Sequence, residues 1–201
     1  MMKLKKLLLR GTPSLLIPLG AGFVMASSND IRAALGMGVA VTIILLLTAI
    51  VVSAIKNIVP EKAKVPAYIL IVTGFTSIIN MFMSAFFPEV VDMLGVHLAC
   101  LAVSAVNFRE ANEISCIEKE GTSIVSALVT GAFFLLIMVV CAIFREVLGN
   151  GSFFGMEIKF LQDYKIQSLA GAFGGYLILA IVIAVIRKIG EKLETKEEVV
   201  E

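Results

Sequence analysis

Charged residues in this chain gather between long apolar runs instead of alternating with apolar ones. Six stretches, Gly11 to Asn29, Ala33 to Ile55, Val65 to Pro88, Met93 to Phe108, Gly121 to Phe144 and Ile166 to Ile186, run for 16 to 24 residues without Asp, Glu, Lys or Arg. A helix rises about 1.5 Å per residue, so roughly 20 apolar residues cross a hydrocarbon layer about 30 Å thick. No water reaches the backbone at that depth, and segments of this length satisfy their own N–H and C=O groups as helices. The runs are too long, and alternate too weakly, for outer-membrane strands of about ten residues. The pattern predicts an all-α, polytopic membrane protein with six transmembrane helices.

The six runs are unequal. The first holds Pro13, Pro18, Gly20 and Gly22, and the fourth is only 16 residues long and carries His97, Ser104 and Asn107. The other four read as full spans. Taken as two triplets, each half begins with a short or broken helix followed by two long ones. Three crossings per half invert the second half relative to the first, the arrangement of inverted repeats. The expected organisation is a basic segment 1–11, one membrane domain 12–189 with repeats of about 12–88 and 89–189, and a charged tail 190–201 that frays in solution. In such folds broken helices meet near the midplane, where exposed backbone ends and small residues can hold an ion, cofactor or substrate. The same Gly and Ser residues serve equally for close helix packing.

Composition narrows the class. With 59% hydrophobic and 16% charged residues among 201, a water-soluble globule would lack polar surface. A formal net charge of +1, with no basic run interleaved with aromatics, leaves nucleic-acid binding unsupported. The opening MMKLKKLLLR resembles the basic part of a signal peptide, but Pro13 and Pro18 interrupt the run that follows and Ala26-Ser27-Ser28 is a weak cleavage site. A retained juxtamembrane segment is expected. With the N-terminus inside, Lys3, Lys5, Lys6, Arg10, Lys56, Lys62, Lys64, Arg109, Lys119, Arg187, Lys188, Lys192 and Lys196 fall on the cytoplasmic side, and Arg32, Arg145, Lys159 and Lys165 outside. That 13 to 4 division follows the positive-inside rule and puts both termini in the cytoplasm.

Candidate chemistry is sparse. Cys100, Cys116 and Cys141 show no metal-binding or disulfide spacing and read as small buried hydrophobes. His97 is the single histidine, expected near the outer boundary with a neutral imidazole bonded to a carbonyl or water, a proton-relay role being the alternative. Arg145 and Glu146 are expected to form an interfacial ion pair with the arginine stem snorkelling, or else to line an ion path. Asn80 with Ser84, and Thr73 with Ser77, lie four apart and share helix faces suited to interhelical hydrogen bonds more than to a cation path. Gly149-Asn150-Gly151 reads as a turn with positive φ open to both glycines, and Gly171 with Gly175 as a close-packing pair. No Ser/His/Asp triad or pair of catalytic carboxylates is present.

The segments PSLLIPLGAGFVMAS, VPAYILIV, FFPEVVDMLG and FREVLGNGSFFG, in this order and spacing, resemble the six-helix membrane subunits of the Rnf and Nqr complexes. Arg145-Glu146-Val147-Leu148-Gly149-Asn150-Gly151 with Phe154-Gly155 is the most specific of them, and the likeness, from about Thr12 to Ile189, is greatest to the RnfE/NqrD branch. The resemblance implies a bacterial or archaeal cytoplasmic membrane and respiratory electron transfer, between ferredoxin and NAD or from NADH to quinone, coupled to sodium or proton movement. It also implies an inverted homologous partner, RnfA/NqrE-like, other Rnf/Nqr-type subunits, and a 2Fe-2S cluster held by two cysteines from each of the two homologues. The covalent-flavin threonine motif of other subunits is missing.

At the cluster positions the chain departs from the family. Where the family reads like LGLCP, this chain has Leu19-Gly20-Ala21-Gly22-Phe23, with Gly22 in place of cysteine. For the second ligand, counting back from Arg109-Glu110-Ala111 gives Ser104, anchoring on Gly95 gives Ala105, and matching Val106-Asn107 gives Phe108. Cys100, one helical turn before Ser104, is the remaining substitute, without a second thiol from the first segment. No catalytic or metal residue is assigned, and a bound cluster of ordinary ligation is not expected. The reading is a non-catalytic subunit of an Rnf/Nqr-like complex, with a cofactor-free transporter or accessory subunit of the same inverted fold as the alternative.

Overall fold

The computed structural model describes residues 30–101, 104, 107, 120–153, 156–157 and 172–198. The expected first span, with Gly22, lies outside them, as do Arg109-Glu110-Ala111, Cys116, Phe154-Gly155 and Gly171. Within them the fold is all-α and polytopic. Three helical stretches, Ile31–Ile55, Glu61–Phe86 and Ser123–Gly149, are long and apolar enough to cross a membrane, and Phe173–Val185 is a shorter apolar run.

Helix α1 (Ile31–Ile55) is apolar almost all round, and it occupies the centre. Only a narrow stripe that includes Val39, Ile43 and Ile50 is exposed. A turn at Glu61–Ala63, with an exposed 3.1 Å pair between Lys64 and Glu61, leads into α2 (Lys64–Phe86). Such a surface pair adds at most about 1 kcal/mol. Tyr68, Val72 and Thr76 are buried, and Ile79 and Met83 pack against the same core, so the spacing of four, four, three and four marks one face of α2.

The sequence pattern carries the third run to Pro88, but the helix stops at Phe86. Phe87 has φ −135° and ψ 58°, because the residue before a proline is pushed out of the helical region. Pro88 then opens a new short helix, α3 (Pro88–Leu94), at a first-turn position where its missing N–H costs nothing. Gly95, at φ 53°, separates α3 from α4 (Val96–Cys100). Met93 and Leu94, expected at the head of the fourth span, therefore belong to α3.

Helix α5 (Glu120–Arg145) continues into one π-helical turn, Glu146–Asn150, and a two-residue antiparallel ladder pairs β1 (Ser152–Phe153) with β2 (Met156–Glu157). Helix α6 (Ala172–Glu198) extends the apolar run through the charged residues 190–198, so the tail expected to fray is helical to Glu198.

The largest contact joins α1 to α5, with α2 and α3 also on α1 and α6 on α5. Helices α1 and α5 are antiparallel, since Gly38 meets Leu135, Thr42 meets Gly131, and Ile31 reaches Glu146. A Cβ built on Gly131 would lie 2.9 Å from the Thr42 Cα, and one on Gly38 3.1 Å from the Leu135 Cα. The missing side chains let the backbones touch, which matters in lipid, where packing replaces the hydrophobic drive. Gly36 plays the same part towards α3, where an added Cβ would collide with the Val90 Cγ1. By contrast, a Cβ on Gly74 meets nothing within 4 Å. We therefore expect Gly131→Ala to cost about 1–3 kcal/mol through overpacking against backbone, with Gly74→Ala neutral within about 0.5 kcal/mol. Thermal melting of the two purified variants tests this, and equal Tm values would refute the close-contact account.

Candidate functional site

Two breaks in regular helix collect the polar residues that the sequence singles out. The first is the fourth run. Leu94, Leu98 and Leu101 are buried and anchor α4. After Cys100 the regular helix ends: the Ser104 N–H donates to the Leu101 carbonyl at 3.1 Å, and the Asn107 Nδ2 donates to that same oxygen at 2.8 Å. The Asn107 amide thus serves the Leu101 carbonyl from six residues away. Ser104 and Asn107 are both buried, while Cys100 is half-buried and its thiol is free. The Asn107 Oδ1 has no hydrogen-bond partner among the described residues. His97 is exposed.

The second break is the turn after α5. Arg145 and Glu146, expected as an interfacial pair or as part of an ion path, are neighbours packed inside the bundle, 4% and 1% exposed. The Glu146 carboxylate accepts from the Ile31 backbone N–H at 2.9 Å and from the Ser152 hydroxyl at 3.4 Å. Ile31 is the first residue of α1, where four N–H groups have no partner within the helix. Asp30 sits at the N-cap position but makes no side-chain cap bond. Glu146, 115 residues away in sequence, does that work, and its charge suits the positive end of the helix dipole. The π turn adds a residue to the helical repeat, and it ends where the Gly151 N–H donates to the Glu146 carbonyl with φ at 65°. Of the two glycines expected to exploit positive φ, Gly151 does and Gly149 stays within the π turn.

The structure thus brings Ser104 and Asn107 together around Leu101, and Glu146 to the start of α1. Gly22 lies outside the described residues, so its relation to Cys100 and Ser104 is not part of this geometry. Sequence reasoning missed Asn107 as a carbonyl partner and Glu146 as a cap. The first had a signal in an Asn within an interrupted apolar run, whereas a contact spanning 115 residues had none. It also missed Thr48 and Ser53 on α1 and Ser126 on α5, whose buried hydroxyls have no partner among the described residues.

Among the described residues the donors do not make up a set for a 2Fe-2S cluster. Cluster iron takes anionic thiolates, and the broken segment offers one thiol, Cys100, beside the neutral hydroxyl of Ser104. Among the described residues no group of three His, Cys, Asp or Glu is placed to hold a metal. Among the described residues the two breaks join elements through Glu146 at the start of α1 and Asn107 at the Leu101 carbonyl.

Comparison with known proteins gives a consistent result. The family described as "Rnf-Nqr subunit, membrane protein" matches residues 2–186. The chain is 24% identical over 186 residues to the E subunit of the Na(+)-translocating ferredoxin:NAD(+) oxidoreductase complex of Acetobacterium woodii, covering 92% of this chain and 95% of the relative. It is 24% identical to the E subunit of the proton-translocating ferredoxin:NAD(+) oxidoreductase complex of Clostridium ljungdahlii, over 94% and 89% of the two chains. The E subunit of the ion-translocating oxidoreductase complex of Methanosarcina acetivorans is 25% identical over 88% and 85%.

The cap at Ile31 sets a measurable expectation. Glu146→Leu orphans a buried N–H and should cost about 1–3 kcal/mol, with faster amide hydrogen exchange at Ile31, while Glu146→Gln keeps an acceptor and should cost less. Equal stability of both variants and the parent would remove the cap from the account.

Proposed function

The chain belongs to the Rnf-Nqr family of membrane subunits, and from that premise we propose how it works as a membrane subunit of an ion-translocating electron-transport complex. The complex is of the ferredoxin/NAD type that the Acetobacterium and Clostridium relatives are named for, with the NADH/quinone type as the other branch of the family. The chain itself has no catalytic turnover. It pairs with an inverted homologous membrane subunit, RnfA/NqrE-like, across a face that includes Gly22 and the stretch from Cys100 to Ser104, and it meets further Rnf/Nqr-type subunits. It lies in the cytoplasmic membrane with both termini cytoplasmic, as the 13 to 4 division of basic residues favours.

The observation that carries the reading is the family match over residues 2–186, nearly the whole chain. The antiparallel contact of α1 with α5, the corresponding members of the two expected triplets, supports the inverted-repeat part of it: Gly38 meets Leu135 while Gly131 meets Thr42. The flanking helices agree, with α2 against α1 and α6 against α5.

The second reading, a cofactor-free transporter or accessory subunit, rests on the residues at the cluster positions, Gly22 and Ser104, which supply no thiolate. The two readings separate on purification from native membranes. Electron transport predicts recovery with a homologous membrane subunit and with flavin-bearing and NADH-binding subunits. A lone monomer that carries solute uptake into liposomes would overturn it in favour of transport. Membrane-impermeant labelling of tags at the two ends should reach both from the cytoplasmic side only, and labelling from opposite sides would end the six-crossing topology.

A further inference from the structure

We draw no further inference here: the strongest candidate, the buried hydroxyls of Thr48 and Ser53 on α1 and Ser126 on α5 that have no partner among the described residues, carries nothing, because Thr48 and Ser53 stand on different sides of α1 and nothing in the structure shows a ligand that the three would share.

Discussion

Contact between α1 and α5 is the constraint on which the rest of the bundle depends. In lipid, two apolar helices gain little from hiding their surfaces, because acyl chains cover them as well as protein does. What holds them is close packing, and close packing requires that side chains be missing where the axes approach. Gly38 and Gly131 provide this at Leu135 and Thr42, and Gly36 provides it again towards Val90 on α3. With α1 clamped on one side by α5 and on the other by α2 and α3, the remaining elements have a fixed frame on which to pack.

The same medium explains the treatment of helix ends. A backbone group freed at membrane depth has no water to turn to, so each break carries its own partner. At the start of α1 that partner is Glu146, and after α4 it is the amide of Asn107. Both side chains are buried, and each makes a specific tie: the carboxylate joins the start of α1 to the end of α5, and the amide bonds the Leu101 carbonyl. Polar residues inside this bundle therefore serve to join elements, and their cost is offset by the groups they satisfy.

These joints bear on function through what they leave in position. The family works by redox-coupled ion movement, yet the residues that the resemblance puts at the cluster positions are Gly22 and a serine, with a single thiol, Cys100, nearby. What the chain keeps is the scaffold: the FFPEVVDMLG break with its Pro88 and Gly95, and the REVLGNG turn with its cap.

The sequence by itself determined the membrane class, the all-α character and the location of the three long spans to within a few residues, because the length of an apolar run is a local quantity that hydrocarbon thickness fixes. It also marked the fourth run as short or broken, since its 16 residues and its His97, Ser104 and Asn107 are visible without any partner. Tertiary structure decided where the runs stop and what their polar residues do. The positive φ fell to Gly151 and not Gly149, and Arg145 and Glu146 came to lie inside the bundle. The pairing of Glu146 with Ile31 and of Gly131 with Thr42 depends on two helices far apart in the chain coming together. Spacing along one helix tells which residues share its face, but not which other helix that face will meet.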